Sequence, residues 1–446
     1  MKTDFYRFSS IQIISLIIVT LIGVLFAVSF HQPLLIGFIP GFLLLVLLVK
    51  SKDVPFKKIV KISLNGIRKT KTVIFILFLV SFVLPAWYES GTIGQLVSIS
   101  LYFITPEHFF LVTFIIAMFF SMTLGTSVGT LSAVGIPIMG TAVELNLSPD
   151  IVAGALISGA FVGDRTSPFS SAFQLLSHTV EVPTKKQWKA MFPTTVSAIL
   201  FGIIVYGLLD YVKDEKVTNL STFSWHQVSI VTLLPPLILI AVVVFRKGII
   251  YAFIGSITGA VIVALLKGIS LQQLSYSFLF GVEGVGGGLA NMYLLLLFLA
   301  LAGAYNGLLE EFKIIQPFID EWFKKSQTIL TDTFKTIGAT FGISLIAANQ
   351  TLPIILTGRT LLPHWSKNQT KEELARVLGD STMLFPGMIP WSVLAIMCST
   401  IVGIPLLDFF PYAVFLWVLP IMTVIVSLNR HIKQSKRVKE KMVSVS

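Results

Sequence analysis

The chain has 446 residues, 54% hydrophobic and 12% charged, with a formal net charge of +11. A soluble domain carries about 25% charge, so an array of soluble domains is excluded. The basic balance fits cytoplasmic loops better than a nucleic-acid partner, and a single cysteine, Cys398, excludes a disulfide framework. In chain order, apolar runs of membrane-crossing length lie at 11–30, 33–49, 72–87, 108–124, 194–209, 228–244, 248–266, 289–309, 329–347, 386–403 and 409–428. The first follows Lys2 and Arg7 and is longer than a signal peptide's apolar core, so it reads as a retained helix. The segments 125–145, 151–163 and 351–365 are also apolar but interrupted by Gly, Pro and polar residues. The reading is an all-α polytopic membrane protein of about 11–13 transmembrane helices.

Lys and Arg set the orientation. The stretch 50–71 carries Lys50, Lys52, Lys57, Lys58, Lys61, Arg68, Lys69 and Lys71, and the tail carries Arg430, Lys433, Lys436, Arg437, Lys439 and Lys441. Both are expected on the cytoplasmic side, with the N-terminus there too. Segment 56–67 alternates basic and apolar residues at helical spacing. It reads either as a helix on the cytoplasmic leaflet or as a solvated connection.

An internal repeat organises the rest. Trp87-Tyr88-Glu89-Ser90-Gly91, the Gly/Ser/Thr-rich break at 125–140 and Gly163-Asp164 recur in order as Ala304-Tyr305-Asn306-Gly307, the polar break at 347–351 and Gly379-Asp380. Each Gly-Asp precedes hydroxyl residues and a proline, Pro168 or Pro386. Paired interrupted segments in the two halves are the mark of a transporter built from two inverted repeats, with broken helices or re-entrant hairpins around its binding site. The division follows: 1–71, N-terminal helices and basic loop; 72–212, first transport repeat; 213–288, connecting helices; 289–428, second transport repeat; 429–446, basic tail.

Four clusters carry candidate chemistry. Thr126, Ser127 and Thr130, with Thr123 and Ser132, offer hydroxyl and freed carbonyl oxygens to a hard cation, or small side chains to close helix packing. Asp164, with Arg165 and Ser167, places an acid beside an apolar stretch, where a proton and a cation can compete for one carboxylate. The competing reading is a structural Asp–Arg pair or an exposed turn. Asn349, Gln350 and Thr351 supply amide and hydroxyl groups in the later break. Arg359 beyond them is a partner for a substrate carboxylate or for Asp380, or the marker of a helix end. Asp380 is the repeat partner of Asp164, suited to coupling more than one ion, or to capping a helix N-terminus. Glu89, Glu144, Glu283, Glu310 and Glu311 sit near span ends, where solvation is the default. No phosphate loop or His metal spacing is present, so an ATP-driven pump, an intramembrane enzyme and a zinc site find no support.

At these motifs the sequence resembles the NhaC family of sodium/proton antiporters. The likeness rests on Glu89-Ser90-Gly91-Thr92-Ile93, on Gly125-Thr126-Ser127 through Gly140 with Ile157-Ser158-Gly159-Ala160 and Gly163-Asp164, and on Ala348-Asn349-Gln350-Thr351 through Gly358-Arg359 with Gly379-Asp380-Ser381 and Ile389-Pro390-Trp391. The resemblance implies inverted repeats whose hairpins meet at mid-membrane, with Asp164, Ser167, Thr126, Ser127, Asn349 and Asp380 at the translocation site. In the family, Gly-Asp is often followed by Lys-Met-Ser-Pro-Leu-Ser-Asp. Here Arg165-Thr166-Ser167-Pro168-Phe169-Ser170-Ser171 follows, and Ser171 stands where that pattern has an acid. The expectation is sodium/proton antiport across the cytoplasmic membrane by alternating access. The alternative, suggested by Arg165, Arg359 and Ser171, is a sodium- or proton-coupled carrier of an amino acid or small carboxylate, as in malate–lactate exchange. No cofactor is expected beyond the transported Na+ and H+. The expected partners are the lipid bilayer and the transported ions or small solute, with a homodimer open and nucleic acid excluded.

Overall fold

The computed structural model describes residues 8–30, 32–103, 106–212, 229–245, 247–282, 287–312, 314, 328–347 and 349–443. Lys2, Arg7, Glu283, Ala348 and residues 213–228 of the predicted connection at 213–288 lie outside them. In a bilayer every backbone N–H and C=O must be satisfied within the chain, and the apolar runs accordingly fold as helices. The first are α1 (Ser10–Ser29), α2 (Leu34–Lys50), α3 (Phe56–Glu89) and α4 (Thr92–Phe103). Next come α5 (Phe109–Leu124), the short α6 (Ser127–Thr130), a π-helical turn at Leu131–Gly135, α7 (Ile136–Glu144), α8 (Pro149–Thr166), α9 (Ser171–Thr179) and α10 (Thr184–Val212). Three helices follow, α11 (Ile230–Val244), α12 (Ile249–Leu266) and α13 (Leu271–Phe280). The rest are α14 (Leu289–Glu311), α15 (Ile329–Ala347), α16 (Thr351–Asn368), α17 (Lys371–Gly379), α18 (Val393–Val402), α19 (Leu406–Phe409) and α20 (Val414–Val443).

Among the described residues, α1, α3, α10, α12, α14 and Val414–Lys433 of α20 are each long and apolar enough to cross a membrane. The run α18 plus Leu406–Tyr412 bends by 85° between its parts. Helices α2, α5, α11 and the stretch Ser127–Val143 are apolar but shorter. Every predicted apolar run therefore holds a helix.

The repeat is inverted. Gly66 of α3 packs on Gly303 and Gly307 of α14, while Ser81 and Pro85 of α3 meet Gly288 and Gly287 just before α14. The two helices thus run antiparallel. The second equivalent pair, α10 and α20, does the same. Phe201 packs edge-on against Trp417, and Tyr206 Oη donates to the carbonyl of Tyr412, 2.7 Å away, just before α20. Between them, the order helix, break, helix, buried helix, break, helix of 109–179 recurs over 329–402. Helix α8 is buried from Ile151 to Thr166, and α17 from Glu373 to Gly379.

Three local expectations change. The basic stretch 50–71 is not a loop: only residues 51–55 connect, and α3 continues from Phe56 to Glu89. Segment 56–67 is the first part of that helix, and Gly66 docks it against α14, so it is no separate leaflet helix. Segment 151–163 is not interrupted. Its glycines lie inside α8 as contact points, Gly159 against Phe114 and Ala117, Gly163 against Ser121.

Candidate functional site

The site forms where the breaks of the two repeats face one another. Helix α5 ends at Gly125, whose φ of 71° is left-handed. A side chain there would also meet the Phe169 backbone carbon at 2.7 Å, so only glycine lets the first break lie against the second. Thr126 is extended and starts α6, its hydroxyl facing the Gly129 N–H at 3.4 Å. The turn after α8 closes on this corner through Ser167, whose hydroxyl donates to the Met122 carbonyl at 2.7 Å, and through Ser170, which donates to the carbonyl of Asp164. Ser121 ties α5 to α8 by donating to the Ala160 carbonyl and accepting the Gly163 N–H at 2.8 Å.

Asp164 is buried within this frame. Its Oδ2 faces Ser127 Oγ at 3.3 Å from the first repeat and Gln350 Nε2 at 3.4 Å from the second. Gln350 is held by a further bond to the Met383 carbonyl, 2.9 Å, so the two second-repeat breaks touch just where Asp164 meets them. Asn349 Oδ1 accepts the Leu352 N–H at 2.9 Å and steadies the start of α16. A surface crevice lined by Leu124, Thr126, Phe169 and Gln174, with Val243, Gly248 and Ile249, opens beside the first break.

Asp164 and Arg165 are neighbours in sequence but not partners. Successive side chains of a helix point about 100° apart. Asp164 therefore faces the breaks, and Arg165 faces α10 and the end of α17. There Arg165 pairs with Asp380, both side chains fully buried. The guanidinium also donates to Thr194 Oγ1 at 3.0 Å and to Thr195 Oγ1, and Thr194 donates to Asp380 Oδ1 at 3.3 Å. Asp380 Oδ2 is buried without a hydrogen-bond partner among the described residues. Asp380 follows the C-terminus of α17, so it caps no helix start.

The structure thus brings Asp164, Ser127 and Gln350 into contact, with Thr126, Ser167 and Asn349 shaping the breaks around them. Arg165 and Asp380 form a separate pair. Thr130 turns back to the Thr126 carbonyl at 2.8 Å, Thr351 is exposed, and Arg359 is exposed on α16 rather than beside Asp380. Sequence reasoning passed over Thr194 and Thr195, whose signal is a hydroxyl pair inside an apolar helix. It also passed over two polar clusters on the side of the C-terminal tail. Glu373 binds Arg376 and Arg430, with Arg376 reaching Thr423 and Ser427. Asp332 lies 2.7 Å from His364 Nε2.

Comparison with known proteins agrees with this architecture. The sequence model of the Na+/H+ antiporter family matches residues 5–211 and 175–428. The chain is 27% identical over 382 residues to the Na+/H+ antiporter NhaC of Alkalihalophilus pseudofirmus, covering 81% of this chain and 83% of that one. It is 25% identical over 413 residues to the NhaC antiporter of Bacillus subtilis, covering 87% and 91%. It is 26% identical over 416 residues to the malate-2H+/Na+-lactate antiporter of the same organism, covering 88% of each.

Proposed function

The chain belongs to the Na+/H+ antiporter family, and from that premise we propose that it exchanges sodium for protons across the cytoplasmic membrane, with Asp164 as the group both cations use in turn. One observation carries the proposal: Asp164 is a buried carboxylate at the meeting of broken helices, and the side chains that bond it, Ser127 and Gln350, are neutral. Among the described residues no fixed cation pairs with its charge, so a transported one can.

The chemistry follows from burial. An unneutralised carboxylate in an apolar interior is costly. A proton removes the charge; a sodium ion compensates it with help from hydroxyl and amide oxygens and from carbonyls freed at interrupted helix ends, such as the C-terminus of α5. Both loaded forms can pass through the closed protein, whereas the empty anion resists it. That difference couples the two fluxes: the site returns only after picking up the other cation.

Two of the three residues that motivate the organic-acid alternative, the arginines, lie elsewhere. Arg165, which could have paired with a substrate carboxylate, is committed to Asp380, and Arg359 is exposed on α16. The transported Na+ and H+ need no cofactor. The basic start of α3 and the basic tail support both termini on the cytoplasmic side. In reconstituted vesicles, added sodium should dissipate an imposed proton gradient, and malate, lactate or amino acids alone should not. A preparation that carries an organic solute but gives no proton response to sodium would overturn the proposal.

A further inference from the structure

We infer that the exchange is one proton for one sodium and moves no net charge, an inference that rests on the antiport reading and fixes its coupling. The coupling follows from where the buried negative charge goes. Among the described residues, the buried acidic side chains are Asp164, Asp210, Asp332, Glu373 and Asp380.

Three of these serve helix ends. Asp210, near the end of α10, accepts the N–H groups of Phe110 and Leu111 at 2.9 and 3.0 Å, filling donors that the first turn of α5 leaves open. Asp332, in the first turn of α15, faces His364 and Gln369. Glu373, in the first turn of α17, is held by Arg376 and Arg430. The fourth, Asp380, sits in the repeat position equivalent to Asp164 but is neutralised by Arg165, with Thr194 as a further donor. That pair sums to zero charge whichever way the protein faces. It has no reason to release either charge during transport, because breaking a buried pair leaves an uncompensated ion.

Of these five, Asp164 is left as the acid that neither lies at a helix end as those three do nor pairs with a cationic side chain. Loaded with sodium, it is a neutral ion pair; loaded with a proton, it is a neutral acid. The moving core therefore carries the same net charge in both directions. A second exchangeable acid at Asp380 would instead admit two protons per sodium and move one net charge per cycle.

The test uses the full-length protein in proteoliposomes, with sodium uptake and proton efflux recorded together while potassium and valinomycin clamp the membrane potential. The expected proton-to-sodium ratio is one, with the same exchange equilibrium at zero potential and at 100 mV. One net charge per cycle would shift that equilibrium about 50-fold at 100 mV. A ratio of two, or a shift of that order, overturns the inference and leaves antiport standing. Vesicles that show no sodium-driven proton movement sink the antiport reading and this inference with it.

Discussion

The two Gly-Asp corners of this protein make a comparison within one molecule. Each lies at the C-terminal end of a buried helix, α8 or α17, and each precedes a break that packs against the break of its own repeat. Yet Asp164 sits between a serine and a glutamine, while Asp380 sits against a guanidinium. The inverted repeat reproduces the backbone and not the electrostatics. What an intramembrane acid does is set by whether its charge is already matched. On the proposed reading the unmatched acid works with passing cations, whereas the matched one joins the two repeats.

This contrast can be broken by substitution. The largest effect is expected at Asp164: Asp164→Asn keeps shape and hydrogen bonding but removes the exchangeable charge, so sodium-driven proton movement in vesicles should fall to that of protein-free controls. Asp380→Asn should act on stability first. It strands the Arg165 charge, a loss of about 3–5 kcal/mol for a broken buried pair, visible as a lowered melting temperature in detergent. Arg165→Gln combined with Asp380→Asn should regain most of that loss; if the double variant is no more stable than the single, the pair is not what holds this corner.

Smaller effects sharpen the comparison. Gln350→Ala removes a weak donor to Asp164, so the half-saturating sodium concentration should rise about fivefold, or about 1 kcal/mol; an unchanged sodium dependence would remove Gln350 from the site. The exposed pair Lys69–Glu310, at 2.7 Å, is the solvated counterpart of Arg165–Asp380. Lys69→Ala should cost at most about 1 kcal/mol in the same melting experiment. A loss as large as that of Asp380→Asn would show that burial is not the deciding factor.

Much of this was legible in the sequence. Apolar runs give the helices because lipid leaves the backbone no other partner, and the recurrence of Gly-Asp after a polar break marks the paired corners. The division of labour between the two acids was not legible. Arg165 meets Asp380 across 215 positions of chain, a contact that only the packing of the two repeats creates. The turn of a helix already separates Asp164 from Arg165, which argues against their pairing, but it does not name another partner for either. The basic stretch 50–71 misled for a related reason. Charge marks the membrane side, whereas helix continuity depends on the absence of a breaker, and α3 meets its first proline only at Pro85.

The central claim is that sodium and a proton displace each other at Asp164. It is tested most directly by titrating sodium into the purified protein in detergent by calorimetry, in two buffers of different ionisation enthalpy. At a pH where Asp164 is protonated before sodium arrives, the wild-type protein should release one proton per sodium bound, and Asp164→Asn should release none. Sodium binding without proton release in the wild type, or the same release from Asp164→Asn, would contradict the claim.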